Sequence, residues 1–453
     1  MIPQIVFILL AGGVLTLGGL QFWRIRQNIL LAQGDVELTD DPGSRWRNVF
    51  LVAFGQKKMF KRWIPALFHF FIYVAFLMTQ IELIEIFIDG IFGQHRFFAP
   101  LLGGGYTFII SFIEILSLLA FVATVIFLVR RNLMHIDRLE KPELKGWPKL
   151  DANLILIGEL LLLIGITCMN GADAVLQDMG DPHYVETGNF AISSWLGPLL
   201  FGGLEADTLI AIERFGWWLH IVVVFAFILY LPYSKHFHIF LAFPNTYFAK
   251  LEPKGEIENM PAIMKEVKSM MDPDAPMDAA MDEELPEFGA NDIKGLAWTD
   301  LLGAYTCTEC GRCTAECPAN ITGKKLSPRK IMMDVRDRTE EVAKKLKTGS
   351  EEYIAADKKG EGVALSIDNF DDGRSLFDYI TREEINACTT CNACVEACPI
   401  LINPLAPILK LRRYQILTES TGPADWTPMY NSIENSGSVW AVTEDRESWF
   451  RGS

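Results

Sequence analysis

Apolar residues fill five long stretches in the first half of the chain, at about 3–23, 63–88, 104–129, 152–170 and 209–231, most near the roughly 20 residues a helix needs to cross a bilayer core. Five crossings put the two ends of this region on opposite sides. The opening stretch "MIPQIVFILLAGGVLTLGGLQFW" has no basic residue before its apolar run and no small-residue cleavage pattern after it, which predicts an uncleaved first helix. Residues 252–293 are acidic, rich in Met and Pro and without sustained periodicity, which predicts a linker. Beyond it, "SPRKIMMDVRDRTEEVAKKLK" and "SLFDYITREEINA" space their apolar residues as helices do. The pattern predicts an all-α chain, a five-helix transmembrane bundle followed by a compact helical domain.

Composition supports a membrane component, since 50% of the 453 residues are hydrophobic. The net charge of −15 is concentrated in runs such as "MDPDAPMDAAMDEELPEF" (271–288) and excludes a nucleic-acid surface. Basic residues gather in the loops 24–62 and 130–150, while 171–208 has no Lys or Arg. Positive loops stay inside, so the N-terminus is expected outside and everything after Tyr233 in the cytoplasm, in a bacterial or archaeal inner membrane.

Three histidines fall in apolar helices: His69 near the inner end of the second, and His220 and His238 on the fifth and its continuation. His220 and His238 are 18 residues apart, five turns, so they are expected to point the same way and to lie about 27 Å apart along a continuous helix. The second helix runs outward and the fifth inward, so His69 and His238 reach the same inner depth and can close on one iron, the arrangement of bis-histidine haem b. Glu82, Glu85, Glu114 and Glu213 fall in the outer half, where a proton-coupled quinone reaction needs carboxylates; Glu114 is the deepest of them, and Glu159 is a second anomaly in the inner half of the fourth helix. Quinone-site candidates are therefore Glu114, His220 and Glu82. His135, His183 and His236 read as surface or interfacial residues, and Cys168 as an inert buried thiol.

"LFHFFIYVAFLM" with "WLHIVVVFAFILYLPYSKHFHIF" resembles the second and fifth helices of the gamma subunit of respiratory nitrate reductase. That resemblance implies an inner haem b on His69 and His238. The family's second helix carries two ligands ten residues apart, but Thr79 stands at the second position here. One haem is therefore expected, or two if His220 takes a ligand from elsewhere.

Eight of the nine cysteines form two combs. Cys307, Cys310, Cys313 and Cys317 with Pro318, and Cys388, Cys391, Cys394 and Cys398 with Pro399, both spell C-x2-C-x2-C-x3-C-P, the run of two-cluster bacterial ferredoxins. Three thiolates on one tight loop cap three irons of a cube, and the fourth points away to the other cluster. The expected sets are Cys307, Cys310, Cys313 with Cys398, and Cys388, Cys391, Cys394 with Cys317. A pair of zinc sites would need two C-x2-C pairs each and gives no role to a third cysteine in step or a fourth before proline. Such undispersed cysteines fit a reducing compartment. The helical segments between the combs make the domain similar to the helical ferredoxin domain of the iron-sulfur subunit of succinate dehydrogenase.

The fusion resembles membrane iron-sulfur oxidoreductases related to heterodisulfide reductase, including electron-transfer-flavoprotein:menaquinone oxidoreductases. Members usually continue into Cys-Cys-Gly domains, which are lacking here; the resemblance implies that this module is a separate subunit docking on the tail, where Trp440, Arg446 and Trp449 suit an interface. The expected organisation is a cytochrome b-like bundle over 1–243, an acidic linker over 244–293, a cytoplasmic α-helical ferredoxin domain over 294–415 and a docking tail over 416–453. The expected function is a subunit of a quinone-linked oxidoreductase that relays electrons between menaquinone or another quinone and a cytoplasmic partner. That partner is a Cys-Cys-Gly protein or an electron-transfer flavoprotein. The alternative is a redox-responsive membrane anchor or sensor without net quinone turnover. No Gly-rich dinucleotide loop follows a strand, so no flavin or nicotinamide site is read.

Overall fold

The computed structural model describes all residues except 35, 37, 272–287, 361, 441–446, 452 and 453, and the side chains of 262, 265, 266, 269, 448 and 449. Most of the acidic run 271–288, together with Arg446 and the Trp449 side chain, therefore lies outside the described residues. Five helices are long and apolar enough to cross a membrane: α1 (Ile2–Ile29), α2 (Trp63–Phe92), α3 (Gly104–Asn132), α4 (Trp147–Asp178) and α5 (Ala206–Tyr230). Only 17–39% of the most apolar window of each span is buried. Side chains such as Leu9, Leu17, Phe108 and Val122 stay exposed on the outside of the bundle, as lipid-facing positions do, because acyl chains solvate them.

Among the helices that follow are α6 (His238–Tyr247), α7 (Trp298–Thr306), α8 (Pro328–Leu346) and α9 (Leu405–Arg413). Among the described residues β pairing is confined to two isolated bridges, Gly34 with Ala297 and Ile354 with Phe370. The chain is thus an apolar five-helix bundle followed by an all-α ferredoxin-like domain.

Several elements differ from the apolar pattern. α1 runs to Ile29 because its last turns leave the apolar span and enter the C-terminal domain: Ile25 and Ile29 share a core with Leu301, Tyr305, Ile331 and Val335. Asn28 donates to the Tyr305 hydroxyl at 3.0 Å. The loop 24–62 contains a helix, Pro42–Asn48, capped by Asp41 accepting from the Ser44 amide at 3.0 Å, and then π-type turns over Val49–Phe54. In the stretch read as linker, Pro261–Met271 is helical, and Ala290 and Ile293 already belong to the C-terminal core.

The continuous helix expected from His220 to His238 does not form. α5 stops at Tyr230, Pro232 cannot donate to a helical carbonyl, Ser234 is extended at φ −119° and ψ 147° between two short 3-10 turns, and α-helix resumes only at His238. Asp151 on α4 holds this break, accepting from Ser234 Oγ at 2.6 Å and the Lys235 amide at 3.1 Å. Consequently the two histidines do not share one helix face.

Candidate metal centres

Both combs adopt one backbone path. In the first, Glu309 and Gly311 are left-handed (φ 55° and 71°); in the second, Thr390 and Asn392 repeat this (φ 56° and 61°). The two reversals fold each run of three cysteines around a point, and Gly and Asn occupy the positions where that backbone costs least. At Gly311 a Cβ would also stand 2.4 Å from Arg329 Nη1. Cys317 and Cys398 follow in extended conformation, each before its proline.

The structure brings Cys307, Cys310, Cys313 and Cys398 around one cavity, with Met332 and Ile402 in its wall. Cys317, Cys388, Cys391 and Cys394 surround another, with Leu326 and Ile408. Each cavity therefore takes three thiols from one comb and the fourth from the other. Among the described residues, no group of three or more His, Cys, Asp or Glu is placed to hold a single metal ion. Burial pushes the Cys307 and Cys394 thiols up to about 12 and the Cys398 thiol up to about 11. Without metal these groups stay neutral at pH 7, and ligation releases their protons. Four soft sulfur donors around each cavity fit an iron-sulfur cluster.

The first comb is clamped to the bundle. Glu309 is paired with Lys235 and, at 2.9 Å, with Arg336. Burial pushes its carboxyl up, but the two cations outweigh that and leave it below the ordinary range. Arg138, in the loop after α3, donates to the Cys310 carbonyl at 3.0 Å; fully buried Arg329 donates to the Arg138 carbonyl at 2.6 Å and binds Glu143 at 2.7 Å.

Between α2, α4, α6 and this comb lies a cavity of about 390 Å³. His69 and His238 face each other across it with ring centroids 6.5 Å apart. Two metal–imidazole bonds of about 2 Å each plus the two half-rings span about that distance. Nδ1 of His69 lies 3.3 Å from Gln56 Oε1, and Nδ1 of His238 lies 3.0 Å from the Lys235 carbonyl. Both rings are thus oriented through Nδ1, which leaves Nε2 as the nitrogen that would ligate a metal. The residues fit an axially ligated haem.

His236, read from the sequence as interfacial, lines the same cavity: its ring is 6.0 Å from that of His238, its Nε2 is 3.8 Å from Glu159 and its buried Nδ1 has no partner. The turn 235–237 rotates it inward, which the polar context of "YSKHFH" did not reveal. His135 is exposed, as a surface residue should be.

His220 is buried apart from that cavity, at the crossing of α4 and α5. Gly165 and Gly216 let the helices touch there, and His220 Nδ1 lies 3.2 Å from the Leu162 carbonyl. Thr79 bonds to the Phe76 carbonyl of its own helix at 3.1 Å. Glu114 caps the helix Ser193–Phe201, accepting from the amides of Ile192 at 2.8 Å and Ser193 at 3.1 Å. Glu82, Glu85 and Glu213, expected at the interface or in the outer half, are buried at the end of the bundle remote from the cysteines. His95 and Arg96, which sequence reasoning passed over, join them; two basic residues in a loop on an otherwise acidic side were the available signal.

Residues 306–402 match a family model described as a 4Fe-4S dicluster domain. Over 425 residues the chain is 29% identical to the probable iron-sulfur-binding oxidoreductase FadF of Bacillus subtilis, covering 89% of this chain and 54% of that protein. It is 26% identical over 431 residues to the EtfAB:quinone oxidoreductase of Syntrophomonas wolfei subsp. wolfei, covering 93% and 56%. A probable membrane-anchored ferredoxin of Chromohalobacter salexigens is 30% identical over 159 residues, 34% of this chain and 22% of that one. The chain spans about half the length of the first two. No solved structure gives a significant match. Five membrane-length apolar helices joined to an iron-sulfur domain thus make this chain similar, along most of its length, to membrane iron-sulfur oxidoreductases.

Proposed function

We propose that the chain is the membrane electron-transfer subunit of a quinone-linked oxidoreductase, connecting a quinone, menaquinone or another, with a partner on the ferredoxin side. The observation that carries this reading is one continuous cavity lined both by His69 and His238 and by Cys310, Pro399 and Ile400 of the first cysteine site. A haem b and two 4Fe-4S clusters, when bound, supply the one-electron carriers. His69 and His238 would ligate the haem, and Arg130, Arg131 and Arg138 in the same wall offer positive charge to its carboxylates. Cys307, Cys310, Cys313 and Cys398 would hold the cluster beside it, and Cys317, Cys388, Cys391 and Cys394 the second.

Cys391 is exposed, which favours the second site as the point where a soluble partner meets the chain. The helix Trp426–Ser436 has no buried residue and Trp440 is 78% exposed, so the tail offers contacts to the same partner. The relatives' names suggest an electron-transfer flavoprotein; a Cys-Cys-Gly iron-sulfur protein is the other candidate. Quinone chemistry belongs to the remote end of the bundle, with Glu82 and His220 nearest to it and Glu114 shaping it through the helix it caps. The basic loops 24–62 and 130–150 support a cytoplasmic ferredoxin domain.

Haem and cluster content test the reading. Wild-type protein should give about eight cluster irons and about one haem b per chain, with clusters reduced by a soluble quinol. His69→Ala or His238→Ala should abolish the low-spin haem signal and leave the clusters; His220→Ala should keep that haem. Full haem content and normal quinol-driven reduction in His69→Ala would overturn the assignment.

A further inference from the structure

The end of the bundle remote from the cysteines carries a buried charge imbalance that the metal centres do not use. Arg96, in the loop after α2, is 6% exposed and holds Asp173 through Nε at 2.9 Å and Nη2 at 2.7 Å, and Asn170 through Nη2 at 2.7 Å. Arg214 is taken up by Glu213 and, at 3.4 Å, by Asp89. Glu85 is satisfied by neutral donors, the Tyr106 hydroxyl at 2.6 Å and the Phe98 amide at 2.9 Å, and Glu114 by the helix it caps. Glu82 is different. It is 1% exposed, its Oε1 accepts from Asn170 at 3.1 Å and lies 4.0 Å from Arg96, and its buried Oε2 has no partner.

Glu82, Glu85, Asp89, Glu114, Asp173 and Glu213 together face two guanidinium groups. A buried carboxylate without a counter-ion is costly enough that it takes up a proton instead. Of the six, Glu82 has the buried carboxyl oxygen that no partner satisfies, which makes it the group best placed to hold one.

A path to the surface starts beside it. Glu82 and His95 line one cavity of about 20 Å³, room for a single water. His95 has its Nε2 3.5 Å from Asp173 and its buried Nδ1 without a partner. Its ring centroid is 6.2 Å from that of His183, which is exposed.

We propose that Glu82 is the proton-bearing group of this end of the bundle, exchanging its proton with the remote surface through one water, His95 and His183. The proposal rests on the quinone-linked reading above. Oxidising a quinol releases two electrons and two protons, and reducing a quinone consumes both. Electrons go to or come from the metal centres, so the protons need this separate route.

The test uses the full-length protein in nanodiscs, as wild type, Glu82→Gln and His95→Gln. In pH-difference infrared spectra the wild type should show the carbonyl stretch of a buried protonated carboxyl group, shifted in D2O. Glu82→Gln should lack it and His95→Gln should keep it. Cluster reduction by a short-chain naphthoquinol should slow about a hundredfold in both variants, and the rate of Glu82→Gln should lose one ionisation from its pH profile. Cluster signals after dithionite reduction should be unchanged, which shows that the variants fold. A carboxyl band that survives in Glu82→Gln, or a wild-type rate and pH profile in that variant, overturns the proposal. A wild type that naphthoquinol does not reduce overturns the quinone reading alone, and the infrared spectra still decide where the proton sits.

Discussion

Cys317 is the residue at which chain order and spatial order part. It follows the first comb along the chain, yet it lies around the cavity of Cys388, Cys391 and Cys394. Cys317→Ser should therefore reduce cluster iron from about eight to about four per chain while sparing the site of Cys307, Cys310, Cys313 and Cys398. Iron analysis with electron paramagnetic resonance checks it, and loss of the sequence-adjacent site instead would refute the crossed sets. The spacing of the combs carried this expectation because a three-residue step beyond a tight loop forces the last thiol outward. Spacing carried nothing about His236 or Glu82: whether a polar side chain faces a cavity, a helix crossing or lipid depends on neighbours far along the chain.

At the scale of elements, the break between α5 and α6 decides how bundle and cysteine domain meet. It lets Lys235 leave the helix and reach Glu309, while Asp151 holds the backbone on either side. Glu309→Ala would leave the Lys235 ammonium buried without its main partner, a loss of about 3–5 kcal/mol, seen as a lower unfolding midpoint and faster loss of the first cluster. Glu309 is held below its unfolded value of about 4.3. Its contribution is therefore complete above that pH and is lost as pH falls through the lower folded value. Cleavage of the loop 133–146 by pepsin, which is active in that acid window, should accelerate as pH falls through it in the wild type and be already fast, with no further acid step, in Glu309→Ala. The sequence reads as one continuous helix through Pro232; the break there is held by Asp151, a residue of a different helix.

Across the whole molecule, the two halves share one core. Ile25 and Ile29 of α1 and Leu231 and Phe237 beside α6 pack with Leu296, Leu301 and Ile331, so the ferredoxin-like domain cannot swing away from the bundle without exposing them. The basic loops 24–62 and 130–150 lie on the same side as that domain, since Arg62 pairs with Glu316 at 2.8 Å and Arg138 binds the Cys310 carbonyl. In sealed right-side-out vesicles, a membrane-impermeant thiol reagent should fail to label exposed Cys391 in cluster-depleted protein, and label it once the vesicles are opened. Labelling in intact vesicles would reverse the orientation.

Sequence alone determined the local chemistry: five membrane-length apolar runs, two combs with ligand spacing, and an all-α architecture, because apolar periodicity and cysteine spacing are properties of neighbouring residues. It also put His69 and His238 at one depth, although the continuous helix used to relate His220 to His238 was wrong. Tertiary structure decided what depends on distant contacts. It turned His236 into the cavity, made Glu114 a helix cap, gathered Glu82, His95 and Arg96 into one buried group, and continued α1 into the cysteine domain. Each of these follows from burial against residues tens to hundreds of positions away, where the cost of an unpaired polar group selects the partner.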